Sequence, residues 1–123
     1  MSWEVEFDDA FEPEFLAFEA DVQDALLAVG NLLADYGPRL GRPHADTLNG
    51  SKHPNMKELR FEADGGEWRC AFAFDPRRTA ILLVAGDKSG GGSRRFYQRL
   101  IALADRRFTD HLKKLSAATK KGK

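Results

Sequence analysis

The sequence is short of cysteine, of basic residues in its first third and of long apolar runs, and each shortage narrows what the chain can be. One cysteine, Cys70, among 123 residues excludes an internal disulfide. Set in an apolar, strand-like run, it reads as a small core residue in a reducing cytoplasm. Residues 1–38 contain no Lys or Arg, so the opening MSWEVEFDD lacks the basic and apolar regions of a secretory signal. No stretch approaches the ~18 apolar residues of a spanning helix, and no membrane partner is expected. The histidines, His44, His53 and His111, are scattered. With no HExxH, no CxxC and no carboxylates at ligand spacing, no metal or cofactor is expected. A nucleophile elbow for a Ser-His-Asp hydrolase is also missing, and the N-terminal acids fall on positions that read as solvent faces rather than as a glycosidase pair.

What is present is a charge split. The formal net charge is zero, from 19 Lys+Arg against 19 Asp+Glu. All ten charges of residues 1–38 are acidic, so that segment sums to −10 and the remainder to +10. Such asymmetry suggests a nucleic-acid or anion surface on the basic side. Nine Phe and two Trp within 42% hydrophobic content argue for a folded chain. At ~100–200 residues per domain, a single domain over residues 1–115 is expected, followed by a basic, disordered tail over 116–123.

Trp3, Val5 and Phe7 alternate with polar residues, the period of a half-buried strand. A helical hairpin follows from Pro13, with Val22, Leu26, Val29 and Leu33 on one face, and ends at Gly37-Pro38. Residues 38–55 read as an irregular connector. Strands are expected over 56–62, 67–74 and 79–85, joined by Ala63-Asp64-Gly65-Gly66 and Asp75-Pro76-Arg77-Arg78. A glycine-rich turn then leads into a helix over 93–115. The fold class is α+β: an N-terminal strand, a helical hairpin, an antiparallel three-strand meander completing a curved sheet, and a long C-terminal helix.

The glycine-rich turn between strand and helix matches neither the P-loop nor the dinucleotide pattern. It is either a hinge or a contact for a phosphodiester backbone. On the last helix, Tyr97, Ile101, Ala104, Phe108, Leu112 and Leu115 form the core arc. Arg95, Arg99, Arg106, Arg107, Lys113 and Lys114 gather opposite, as solvated surface or as a nucleic-acid face. Lys57, Arg60, Arg69 and Lys88 add a cationic set on the sheet, with Arg94, Arg95 and Tyr97 opening the helix. Cleaving RNA through its own 2′-hydroxyl needs a base, cations for the phosphorane-like transition state and an acid for the leaving oxygen, and no metal. Arg suits the phosphate through its planar fork, Lys serves as a base only with a lowered pKa, and Tyr97, Trp68 or Phe96 could stack a base.

The ordered series WEVEF, GPRLGRP, LNGSKHPNMKELRF, EWRCAFAFDPRR, AILLVAGDKSG and RRFYQRLIALADRRF resembles the RelE/HigB/ParE superfamily of bacterial toxins, in particular its phage-derived HigB-like branch. The resemblance implies a hairpin packed on a curved sheet and, in RelE and HigB members, endonucleolytic cleavage of mRNA, commonly on the ribosome. By position it implies catalytic roles for Lys57, Arg60, Arg69, Lys88 and Tyr97, and RNA contacts for Arg94, Arg95, Arg99 and Trp68. Some members use a His–Asp–His set that is not reproduced here, with His53 either a substitute or simply exposed. The implied partners are mRNA, the ribosome and a cognate antitoxin of helix-turn-helix type, in the cytoplasm. Two other readings stay open at this point: ParE-like relatives poison DNA gyrase on the same fold, and the basic face could bind nucleic acid without chemistry.

Overall fold

The computed structural model describes residues 2–121, with side chains through Thr119. The elements run β1 (Val5–Phe7), α1 (Phe11–Leu16), α2 (Ala20–Tyr36), a 3-10 turn (Gly37–Arg39), β2 (Ala45–Thr47), β3 (Lys57–Ala63), β4 (Gly66–Phe74), β5 (Ala80–Asp87) and α3 (Ser93–Lys121). The sheet order is β1-β5-β4-β3-β2. β1 lies parallel to β5, and every other pair is antiparallel.

The hairpin helices are set by polar side chains at their ends. Asp8 opens α1, its carboxylate accepting from Ala10 N at 3.0 Å, and acids in the first turn, Glu12 and Glu14, favour the positive helix end. At the other end of α1, the Gln23 amide donates to the carbonyls of Phe15, Leu16 and Phe18, the free acceptors of that terminus. α2 stops at Gly37, whose φ of +58° suits glycine and where a Cβ would collide with the Trp3 indole. Asp64 and Gly65, with φ of 50° and 73°, make the two-residue turn between Ala63 and Gly66 that the Asp-Gly pair predicts.

α1 and α2 pack on one face of the sheet and α3 on the other, so alternation divides the strands' apolar residues into two cores. Leu59, Cys70, Phe72 and Leu82 join Phe11, Phe15, Leu26 and Leu33 under the hairpin. Met56, Ala71, Ala73, Ile81, Leu83 and Val84 meet Leu100, Ala104 and Phe108 of α3. Leu83 is the extra residue of a bulge between the Ala71–Val84 and Phe72–Leu82 pairs, and the offset sets Leu83 and Val84 in succession into the α3-side core. Cys70 is fully buried and burial pushes its thiol up to about 12, in keeping with an inert core residue.

Four expectations need correction. The connector is not wholly irregular, because Ala45–Thr47 pairs with β3 as an edge strand; three residues are too few to show a period-2 pattern. α3 continues to Lys121 instead of ending near 115, since Ser116, Ala117, Ala118 and Thr119 contain no helix breaker and Thr119 Oγ1 donates to Leu115 O at 3.0 Å. The remaining two positions of the expected tail, 122 and 123, lie outside the described residues. The acids of the first third are not all solvated. Asp8 is buried, Glu14 pairs with Arg107, Asp9 with Lys114 and Glu6 with Arg77. Arg107, expected on the solvent side of α3, is only 11% exposed and donates to Leu83 O at 2.7 Å. Among the described residues no helix is long and apolar enough to cross a membrane.

The β4–β5 turn is tied to α3 through one carboxylate. Asp75 Oδ1 accepts from Arg77 N and Thr79 N at 2.9 and 3.0 Å, and Oδ2 meets His111 Nε2 at 2.8 Å. Burial alone would raise the Asp75 carboxyl, but hydrogen bonds from His111, Thr79 and Arg77 outweigh it and hold the group below the ordinary carboxylate value. A depressed carboxyl contributes stability that is complete above its unfolded value, about 4, and is lost as pH falls through the folded one. Asp75→Asn is therefore expected to cost about 1–3 kcal/mol at pH 7. It is also expected to flatten the acid limb of stability below about pH 4. Urea melts of both proteins from pH 3 to 7 measure both effects.

Candidate nucleic-acid interface

Alternation along β3 and β4 decides which cations share a surface. Arg60 stands opposite Arg69, and Arg69 opposite Gly86, so the three form a row across β3, β4 and β5 on the α3 side of the sheet. Like charges directly opposite repel, and a carboxylate resolves the conflict. Glu58, one row away on the same face, has a side chain only 3% exposed. Its Oε2 accepts from Arg60 Nε and Nη2 at 3.1 and 2.9 Å, while its Oε1 accepts from Tyr97 Oη at 2.8 Å and lies 3.9 Å from Arg69 Nε. Asp46, from edge strand β2, adds a longer contact of 3.4 Å to Arg60 and pairs with Arg42 at 2.9 Å. Arg42 beside Asp46, with the Thr47 amide, holds that carboxyl low.

Arg69 is the least satisfied member. Its side chain is 12% exposed, Nη1 donates to Trp68 O at 2.9 Å, and Glu67 lies 3.9 Å from Nη2. Its Nε is buried and, among the described residues, is the one buried side-chain polar atom without a hydrogen-bond partner. A buried unpaired donor costs about 1–3 kcal/mol, and an anionic oxygen reaching Arg69 would remove that cost. Burial raises the Tyr97 phenol above its ordinary value, and the hydrogen bond and charge of Glu58 raise it further. The phenol is held protonated, its O–H donating to Glu58 Oε1.

The expected residues do not form one cluster. Arg60, Arg69 and Tyr97 come together, with Glu58 and Asp46 added. Lys57 and Trp68, placed with the cations at first reading, project from the opposite face. Lys57 lies opposite Phe72 and donates to Pro38 O at 3.3 Å. Trp68 is packed between Phe18, 5.2 Å away edge-on, and Phe61, 6.1 Å away and stacked, and so is committed to the hairpin side. Lys88, Arg95 and Arg99 line a neighbouring cleft between β5 and α3, and Arg94 is exposed at the start of α3. His53 bonds Thr109 at 3.0 Å and packs edge-on against Phe108, apart from the arginines. Among the described residues no three His, Cys, Asp or Glu side chains gather as metal ligands. Toward the β3–β4 turn the same face becomes acidic, because Glu62 stands opposite Glu67, with Asp64 at the turn.

Glu58 and Asp46 are carboxylates among cations, and charge patterning alone does not mark them. The available signal was parity: Glu58 and Arg60 are two apart on one strand and must share a face.

With Tyr36 changed to Phe, Tyr97 is the single tyrosine of the chain, so absorbance at the phenolate band follows it alone. Replacing Glu58 by Gln in that background is expected to lower the Tyr97 titration point, since the carboxylate charge that opposes ionisation is gone. An unchanged titration would show that burial alone sets the phenol.

Comparison with known proteins agrees with this architecture. The family described as phage derived protein Gp49-like (DUF891) matches residues 13–109. The putative toxin HigB2 of Mycobacterium tuberculosis is 43% identical over 95 residues, covering 76% of this chain and 47% of HigB2, so the match spans about half of that relative. The putative toxin HigB3 of the same organism is 45% identical over 93 residues, covering 76% of this chain and 79% of HigB3. Among solved structures, a mutant of the E. coli toxin RelE in the free state superposes with a TM-score of 0.59 at 13% identity, over 83% of this chain and 96% of RelE. The RelE of an archaeal RelE–RelB complex from Pyrococcus horikoshii gives 0.53 at 13% identity, over 74% of this chain and 100% of that one. The structural likenesses establish the RelE-type fold, and the sequence matches establish kinship: the chain belongs to the phage-derived Gp49-like family, in the HigB-like branch of the RelE/HigB superfamily.

Proposed function

We propose that the protein is the toxin of a toxin–antitoxin pair and acts as an endoribonuclease on mRNA at the ribosome, by attack of the RNA's own 2′-hydroxyl. The observation that carries this reading is the row of Arg60 and Arg69 beside the hydrogen-bonded Tyr97–Glu58 pair. The relatives named as putative toxins support the biological role. The archaeal RelE is described in complex with RelB, which supports a small antitoxin partner for this chain, of helix-turn-helix type and seated over the cationic face.

In this reading the scissile phosphate rests on the exposed part of the Arg69 guanidinium and on Arg60, about a third exposed. Both guanidinium groups stay protonated and neutralise the charge that builds on phosphorus. Tyr97 cannot serve as a free phenolate, because its pKa is raised. A relay avoids that state: the 2′-hydroxyl proton passes to Tyr97 Oη as the phenolic proton passes to Glu58 Oε1. The 2′-oxygen bonds phosphorus, the bond to the 5′-oxygen breaks, and Lys88 protonates the leaving oxygen. The products are a 2′,3′-cyclic phosphate and a 5′-hydroxyl. Lys57 and Trp68 have no part in the step, since they face the hairpin.

Expression of the chain alone is expected to arrest bacterial growth, and mapping transcript 5′ ends after brief induction should show new ends bearing 5′-hydroxyls. Arg69→Ala is expected to reduce cutting by on the order of 10²–10³-fold, the effect of removing one transition-state donor. Tyr97→Phe should reduce it by about 10²–10⁴-fold, the range of general acid–base effects. Undiminished toxicity in a folded Arg69→Ala variant would count against the phosphate role. Intact transcripts together with accumulated gyrase–DNA complexes would replace this reading with the ParE-type one.

A further inference from the structure

At the margin away from the arginines the sheet ends in an open edge. β1 is the terminal strand and pairs with β5 alone. Glu4 O accepts from Ala80 N, and Asp8 N donates to Leu82 O, so Glu4, Asp8 and Glu6 between them turn their backbone groups to β5. The N–H and C=O groups of Val5 and Phe7 therefore point to the open edge, where a further strand can pair with them. A cavity of about 230 Å³ lies against this edge under α2, lined by Val5, Phe7, Leu26, Leu27, Gly30 and Leu82. It is smaller than the roughly 300 Å³ at which small-ligand sites begin, and suits one aliphatic side chain. Gly30 leaves its wall bare, since a Cβ there would meet nothing within 4 Å, although a glycine inside a helix weakens it.

The charge around the cavity has one sign. Leu27 stands at its mouth, 49% exposed. The other exposed large apolar side chains among the described residues are Leu16 and Tyr36, and all three fall within residues 1–38, which hold ten acids and no Lys or Arg. Asp24, Leu27, Asn31 and Asp35 recur at helical spacing and are all exposed, so the two acids flank the mouth along α2. Val5 and Phe7 pack toward the hairpin, which puts Glu4 and Glu6 on the opposite face of β1, both exposed. A strand added to β1 would alternate in the same way. Its residues on the hairpin side enter the cavity, and their neighbours stand beside Glu4 and Glu6. The edge thus fits an extended segment in which aliphatic and basic residues alternate.

We propose that this edge docks a Lys- and Arg-rich extended segment of a ribosomal protein, with one aliphatic side chain in the cavity and basic neighbours on Glu4, Glu6 and Asp24. The inference rests on the reading of the chain as a ribosome-bound ribonuclease and deepens it by assigning a protein contact. Ribosomal RNA is repelled by a face of uniform negative charge, whereas proteins that lie on RNA carry the bases that neutralise its phosphates. An antitoxin segment that covers the arginine row needs acids instead, so charge separates the two partners. The dock also leaves the arginines free, because their row lies on the α3 side of the sheet and the cavity on the hairpin side. RNA drawn to one face and a basic protein to the other fix a single orientation of the chain on the ribosome.

The test places a benzophenone amino acid at Asn31, beside the cavity, and irradiates the protein on purified ribosomes carrying mRNA, with mRNA cutting followed in the same reaction. One ribosomal protein is expected to be crosslinked, within a Lys- and Arg-rich extended segment. Two further changes, each first shown by thermal melting to fold, act on the dock: Gly30→Leu fills the cavity, and Leu27→Lys sets a positive charge at its mouth. Each is expected to abolish that crosslink and to weaken co-sedimentation with ribosomes by roughly 10- to 50-fold in affinity, the loss of a central interface anchor. The dock is overturned by a crosslink that goes instead to ribosomal RNA, to a second copy of the chain or to antitoxin added in equal amount to the ribosomes. It is equally overturned by no crosslink, or by a crosslink and affinity that both changes leave intact. With mRNA cut in the same reaction, each of these results leaves the ribonuclease reading standing. Intact mRNA after incubation with the wild-type chain overturns both.

Discussion

One buried carboxylate organises this protein's basic face. Glu58 sits on a central strand, nearly sealed from solvent, and is contacted by Arg60 from its own strand, by Arg69 from the next and by the Tyr97 hydroxyl from α3. A charge so placed is tolerable only when opposite charge and hydrogen bonds meet it. The consequence runs both ways. The arginines can stand directly opposite one another because Glu58 is there, and the start of α3 is located over the sheet because Tyr97 reaches the same oxygen. Remove the carboxylate and two cations and a phenol lose their common reference.

The global charge split follows a related logic. Its acidic and basic parts are stitched together along the C-terminal half of α3, where Arg107 reaches Glu14 and Lys114 reaches Asp9. Surface pairs of this kind add little stability each, but they consume bases. Lys88, Arg94, Arg95 and Arg99, toward the start of α3 and in the loop before it, are among the described bases that no carboxylate meets. The pairing thus leaves the start of α3 with its positive charge uncompensated.

Much of the fold was legible because its signals are local. Alternation marks β1, the Asp64-Gly65 pair requires its turn, and helical spacing marks α2 and α3. β2 was illegible because it is a strand only by virtue of β3. Within the site, Arg60, Arg69 and Tyr97 were legible as chemistry, yet Lys57 and Trp68 were put beside them by proximity in sequence. Strand parity opposes that placement: Lys57 is three residues from Arg60, and Trp68 is adjacent to Arg69, so each points the other way. Arg107 was misplaced for a different reason. A helical projection separates apolar from charged residues, but it is blind to a long side chain folding back to a sheet carbonyl.

The acidic end of the β3–β4 hairpin has a bearing on traffic. Glu62 and Glu67 face each other one row beyond Arg60 and Arg69, with Asp64 at the turn. For a polyanion lying on the arginines this end is a fence. Repulsion at one margin and unpaired cations at the other give the surface a direction: a polyanion meeting the arginines is pushed from the hairpin turn and drawn toward Lys88 and the start of α3.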